Sequence, residues 1–282
     1  MTVSKRRWIT KKAARYALML ASSAAQRAIP ALTSSGAPTV RLLTYHRFGH
    51  CPRDPWCVDT DVFEQQMRHL SEQGLAVSLD QVIRFARGEI QLRDGSILVT
   101  MDDGFSSVRT VAAPIMQRYG IPGVAYLTTS LIESDATTLD GERYLTWQQA
   151  RELPSFGLTI GSHAHTHSSL GQMPIDQARS EGETSKRLLE EHLGCAIHSF
   201  AYPFGMRPDE SPATAQALGD LGYESVLIAQ HGVVHPGTDI LRLPRIKVEG
   251  GEPAWTFDLI CAGAMDAWKF VDDTLWRLQR PG

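Results

Sequence analysis

From Val40 to Phe270, short apolar runs alternate with amphipathic runs, and this alternation restricts the possible folds more than any other feature of the chain. Val40–Tyr45, Leu75–Val77, Ser96–Met101, Gly123–Thr128, Leu158–Gly161, His198–Tyr202 and Glu224–Ile228 read as strands. Helices are expected between them. Asp61–Glu72 opens with an acid, and Ser78–Arg87 starts at a Ser78/Gln81 capping box. Ser107–Tyr119 stops at Gly120, and a helix from Thr146 carries a second capping box to Gln149. Two more run from Pro174 to Gly194 and from Pro212 to Gly222, with proline at the start and glycine past the end. An extended Ile240–Val248 and a helix over Trp255–Phe270 finish the pattern. Repeated strand–helix units with short links imply a mostly parallel α/β sheet. About seven or eight units favour a closed or nearly closed barrel, and 282 residues suit one domain of this kind. Such a barrel would occupy residues 40–282 and build its site at the carboxyl ends of the strands.

Charge separates the first residues from the rest. Residues 1–53 hold ten Lys and Arg and no acid, so the net −3 of the chain conceals an acidic body. A basic arm on an acidic body is not the footprint of a nucleic-acid-binding fold. Cys51, Cys57, Cys195 and Cys261 have no C-x-x-C spacing, which leaves zinc-finger and thioredoxin readings without support. A Cys51–Cys57 disulfide is conceivable, but isolated thiols are the expectation. In residues 1–39 the longest apolar stretch, Tyr16–Ala25, is too short to span a bilayer. As a helix, this arm would align Ile9, Ala13, Tyr16, Ala17, Leu20 and Ala24 beside basic residues, which suits peripheral contact with an anionic membrane. A poorly ordered basic tail is the competing expectation. The Arg6-Arg7 pair and weak apolar middle resemble an export signal loosely, so a cytoplasmic or membrane-peripheral location is preferred to export.

Five segments at expected strand ends could carry chemistry. Thr100-Met-Asp-Asp-Gly-Phe105 offers adjacent carboxylates before a turn; one could hold a cation while the other acts as a base, and a solvated turn is the plain alternative. In Gly161-Ser-His-Ala-His-Thr-His-Ser-Ser-Leu170, extended chain at ~3.3 Å per residue would part His163 and His167 by about 13 Å, too far to share an ion. A helical turn after His163 would bring these two together and send His165 elsewhere. Two histidines and one aspartate with open positions make a plausible catalytic metal site. Phe200-Ala-Tyr-Pro-Phe-Gly205 could form a rigid wall that presents backbone N–H groups to an oxyanion. Tyr45-His46-Arg47 and Leu243-Pro-Arg245 end the set, and each alone reads as ordinary packing or surface charge.

Together these motifs resemble the polysaccharide deacetylases of carbohydrate esterase family four, the NodB-homology domain, over roughly Val40–Val248. "TMDDGF", "SHAHTH" and "FAYPFG" are similar to the family's first three motifs, in the same order. The resemblance implies a distorted (β/α) barrel of about seven units. It also implies a hydrolase that uses a divalent metal, zinc first with cobalt, nickel or manganese as alternatives, to remove N-acetyl groups from amino sugars. Position by position, Asp102 would be the base, Asp103, His163 and His167 the metal ligands, and Tyr202, Pro203 and Phe204 the substrate and oxyanion wall. Two family residues lack a counterpart. The arginine that opens the third motif is replaced by Ala201, for which Arg245 is the expected substitute, and the late general-acid histidine is replaced by His46, with His231 and His235 behind it. Ala164 stands where the family carries Ser or Thr. The "YHR" and "FAYPFG" pairing is similar to the exopolysaccharide and poly-N-acetylglucosamine deacetylase branch. The competing readings are a carbohydrate-binding relic without turnover and a nucleotide-sugar glycosyltransferase that uses the paired acids.

Overall fold

The computed structural model describes residues 4–28 and 37–274. Its main sheet has seven parallel strands in the order β8-β7-β6-β5-β4-β1-β9. They are β1 (Val40–Tyr45), β4 (Ser96–Met101), β5 (Gly123–Leu127), β6 (Leu158–Ser162), β7 (Ser199–Ala201), β8 (Ser225–Leu227) and β9 (Ile246–Lys247). The sheet curls until its outer strands meet. Leu243 bridges Leu227 of β8, and three residues later Ile246 pairs with Leu43 of β1. One short segment therefore closes the distorted barrel.

Strand alternation sorts the core into two layers. Leu43, Tyr45, Ile97, Val99, Met101, Ala125 and Leu127 face the surrounding helices in the larger cluster. Val40, Leu42, Leu98, Val124, Tyr126, Ala201 and Leu227 fill the barrel, together with Val82, Ile83 and Phe85 of helix α3 (Leu79–Ala86). Gly161 on β6 is required by this interior, because a Cβ there would stand 2.3 Å from the Tyr126 ring. The outer helices include α2 (Thr60–Gln73), α4 (Ala113–Arg118), α5 (Trp147–Glu152), α6 (Ile175–Leu193) and α7 (Pro212–Asp220). Both expected capping boxes form, at Ser78/Gln81 and Thr146/Gln149. All four cysteines are free thiols.

Three expected elements differ. Leu75–Val77 makes only one bridge, Ala76 to Ile97, on the edge of β4 that is open below Val99, where β5 begins to pair. Ser107–Tyr119 opens with a π-helical turn, Val108–Ala112, before α4. The last helix breaks into α8 (Trp255–Cys261) and α9 (Trp268–Thr274) around Gly263, whose φ of +91° and approach to Arg41 exclude a side chain. Two short strands not expected from the sequence, β2 (Arg47–Phe48) and β3 (Cys57–Val58), pair beyond β1. The Ser/Gly/Pro break at Thr33–Pro38 lies mostly outside the described residues.

Helix α1 (Lys5–Ala28) docks on the barrel through charge. Lys11 and Lys12 contact Glu249, and Lys12 and Arg15 contact Glu252, with Arg15 Nε 2.6 Å from Glu252 Oε1. Arg15 also donates from Nη2 to the carbonyl of Lys247 at 2.8 Å. Lys12, Arg15, Glu249 and Glu252 are all buried, and Met19 enters the main core. Gly251 admits Trp8 against the chain, and a Cβ there would lie 2.4 Å from the indole. No described helix is long and apolar enough to cross a membrane. Removing one member of a buried ionic network leaves its partners desolvated and unpaired. Glu252→Ala is therefore expected to lower unfolding stability by about 3 to 5 kcal/mol in urea titration. Glu183→Ala, on the outer side of α6, should leave it nearly unchanged.

Candidate metal and acid–base site

Alternation carries β4 from Leu98 through Thr100 to Asp102, so Asp102 continues the row that faces the barrel interior. Its amide donates to Tyr45 O at 2.9 Å, extending the β1–β4 ladder by one step. Asp103 then turns back through a left-handed backbone, φ +72°, instead of pointing to the opposite face as an extended neighbour would.

The chain after β6 does not form the expected helical turn. Ala164 and His167 adopt left-handed φ values of +63° and +55°, and these two reversals bring His163 and His167 together. Helical stacking is replaced by a tight turn because Glu181 of α6 captures it from below. Its carboxylate accepts from the amides of His165 and Thr166 at 2.9 and 2.8 Å. Six described non-glycine residues have positive φ, and four of them, Asp103, Ala164, His167 and Phe204, lie in the three motifs. Left-handed backbone is costly without glycine and persists only where the surroundings impose it. Strain is concentrated at this rim.

The outcome is a converging triad. Nε2 of His163 and Nε2 of His167 lie 3.3 and 3.0 Å from Asp103 Oδ1. Oδ1 is nevertheless buried without a hydrogen-bond partner. Two atoms each about 2.1 Å from one ion at the tetrahedral angle stand about 3.4 Å apart, which is close to these separations. His163 Nδ1 faces Ala201 O at 2.8 Å; a carbonyl only accepts, so Nδ1 holds the hydrogen and Nε2 is free to ligate. An orphaned carboxylate oxygen, a tautomer fixed from behind and a carboxylate–imidazole donor set fit a divalent cation. Burial opposes ionisation of Asp103, but the facing imidazoles hold its carboxyl well below the usual range. Burial also disfavours a charged His167, and Asp103 outweighs this and raises its pKa.

Asp102 stands outside the triad and pairs with Arg245. Arg245 Nη1 lies 2.7 Å from Asp102 Oδ1 and 3.2 Å from Thr100 Oγ1, and Nε donates to Ile228 O at 3.1 Å. Arg245 is 1% exposed, and its guanidinium stands 5.7 Å from the centre of the Tyr126 ring. Burial pushes the Asp102 carboxyl up, while the charges of Arg245 and His163 more than offset this and keep it low.

The third motif forms one wall. Tyr202 and Pro203 are buried, and Phe204 is exposed with its ring 4.9 Å from that of His167. Tyr202 N–H bonds to Leu227 O, Gly205 N–H to Pro203 O, and proline has no N–H. That leaves the Phe204 amide as the wall's available donor. On the other side His46 follows β1, its ring 4.5 Å from that of Trp56 and its Nδ1 buried without a partner. Burial lowers its pKa to about 4 against the pull of Asp103 and Asp102. Lys247 Nζ sits 3.0 Å from the centre of the Trp56 ring.

Three other histidines considered from the sequence lie elsewhere. His165 bonds Thr129 Oγ1 through Nδ1 and stays out of the triad. His231 is held by Asp272 at 2.9 Å and packs against Trp268. His235 is exposed beside the Val234–Val40 bridge, at the opposite end of β1 from the rim. Glu181, Trp56 and Lys247 support the site without any local sequence signal, since each acts across a distance that only the fold closes.

Comparison with known proteins agrees with this arrangement. The family described as "Polysaccharide deacetylase" matches residues 89–226. The putative polysaccharide deacetylase YxkH of Bacillus subtilis is 24% identical over 155 residues, 55% of this chain and 52% of that protein. The poly-beta-1,6-N-acetyl-D-glucosamine N-deacetylase of Escherichia coli K12 is 25% identical over 228 residues, 68% of this chain and 33% of its own length. The chain thus spans about half or less of these two relatives. Among solved structures, Streptococcus pyogenes deacetylase PplD superposes with a TM-score of 0.68 at 21% identity, covering 87% of this chain and all of that one. IcaB from Ammonifex degensii gives 0.69 at 24% identity, covering 80% and 97%. These two likenesses establish the fold. Residues 89–226, which carry the three motifs, thus match the polysaccharide deacetylase family, and the fold around them is the one seen in PplD and IcaB.

Proposed function

We propose that this protein is a metal-dependent deacetylase. It hydrolyses the N-acetyl group of an N-acetylglucosamine-type sugar in a polysaccharide, oligosaccharide or glycolipid and releases acetate. The observation that carries this reading is the juxtaposition on one rim of the Asp103–His163–His167 triad with the Asp102–Arg245 pair. A divalent ion held by the triad supplies Lewis acidity toward water and the acetamide carbonyl. Asp102, ionised and aimed by Arg245, accepts the proton of the attacking water. The Phe204 amide is the donor available to the oxyanion. The departing amine needs one proton, and Asp102 has just gained one. His46 follows β1 at the same rim with a buried Nδ1 that has no partner, so it is the group available to relay that proton. The named E. coli relative supports a poly-N-acetylglucosamine substrate class. The glycosyltransferase alternative fares worse, because it gives the two converging imidazoles no part and finds Asp102 already paired with Arg245.

The decisive experiment is acetate release from a panel of N-acetylated sugar oligomers, with chelation and metal add-back. Activity lost on chelation and restored by zinc or a similar ion supports the proposal; no acetate from any substrate by the metal-loaded protein overturns it. Asp102→Asn should retain metal and lose about 10²- to 10⁴-fold in turnover, the range expected for a general base. His163→Ala and His167→Ala should lose bound metal on dialysis, while His165→Ala should keep it. Arg245→Ala should keep the metal and slow turnover by about 10- to 100-fold, the worth of one charge-assisted hydrogen bond. Arg245→Lys, with its melting temperature checked, separates this effect from loss of fold.

A further inference from the structure

We infer that α1 seats this protein on an anionic membrane surface, with Ile9, Tyr16, Leu20 and Trp255 entering the interface and Lys5, Arg6 and Arg7 meeting the lipid headgroups. The inference goes beyond the proposed deacetylation and does not depend on it.

One face of α1 is already used. Lys12, Arg15, Met19 and Ser23 are buried against the barrel, and Lys12 and Arg15 are neutralised by Glu249 and Glu252. The face turned outward carries Ile9, Ala13, Ala17, Leu20 and Ala24, all exposed and none charged. Ile9 and Leu20 are 55% and 53% exposed, large values for apolar side chains on a helix already packed along its other side. Trp255, at the start of α8, widens this strip. It is 45% exposed, and its ring lies 5.6 Å from that of Tyr16, giving an amphipathic aromatic pair beside the aliphatic row.

Charge selects the occupant. Lys5, Arg6 and Arg7 are exposed at the start of the same helix, and residues 1–53 contain no acidic side chain. A second copy would bring the same cations to this face and no acid to meet them. Anionic lipid supplies the opposite charge, worth about 1 kcal/mol for each Lys or Arg near the surface, together with an apolar layer for Ile9 and Leu20. The acidic remainder of the chain is repelled by the same surface, so the protein would approach it through this face. No described helix crosses a membrane, so the contact is peripheral.

The test is sedimentation of the full chain with vesicles of phosphatidylcholine containing phosphatidylglycerol, beside vesicles of phosphatidylcholine alone, at low and high salt. Binding should require phosphatidylglycerol and weaken with salt. The pairs Arg6→Glu/Arg7→Glu and Ile9→Asp/Leu20→Asp should each reduce binding by about tenfold or more. Melting temperature and acetate release from soluble oligomers should stay at the wild-type level in both, because none of these residues touches the rim. Equal binding to uncharged vesicles, no binding, or wild-type binding by either pair would overturn the inference. So would a lipid-free dimer that Ile9→Asp/Leu20→Asp dissolves, which would assign the face to a second copy. Loss of acetate release by the wild type bears on the catalytic proposal alone.

Discussion

A guanidinium sealed inside a barrel is the constraint on which the rest of this structure depends. Arg245 reaches two strands from the short segment that closes the ring: it bonds Ile228 just past β8, and Thr100 on β4 with Asp102 just past it. A buried cation without its anion would be heavily penalised, and the buried anion faces the same penalty. The pair therefore specifies a single register in which Leu243 meets Leu227 and Ile246 meets Leu43. That register sets where Asp102 points. Closure of the fold and orientation of Asp102 are one event.

The triad depends on a different principle. Asp103, Ala164, His167 and Phe204 hold left-handed backbone without the freedom of glycine. Glu181 beneath the histidine turn and Ala201 O behind His163 keep the turn in place. Rigid strands, strained turns and supporting hydrogen bonds thus converge three donor atoms in advance, which limits the ordering that binding an ion would require.

Much of this was readable in the sequence, for definite reasons. Buried parallel strands leave apolar runs such as SILVTM, and helix termini leave capping boxes, so element order and the rim location could be read directly. The expectation that Arg245 compensates for Ala201 came from motif comparison, and the structure brings Arg245 to Asp102. Backbone reversal was less visible. Nothing in "SHAHTH" marks Ala164 and His167 as left-handed residues, and a helical turn was the natural way to join two histidines four apart. Distant supports were silent as well: Glu181 is one of several acids on α6, and Trp56 stands in a loop whose pairing with Arg47 has no periodic signature. The basic arm concealed a division of labour, since composition alone cannot say that Lys12 and Arg15 face inward while Lys5–Arg7 face out.

The docking of α1 changes what a trimmed form of the chain would be. Cutting ahead of Val40 would take away Lys11, Lys12 and Arg15 together with the helix that covers Glu249 and Glu252, and would open the core where Met19 enters it. A trimmed barrel would therefore present two uncovered acids beside bare apolar surface, a seat for a cationic amphipathic segment in place of α1.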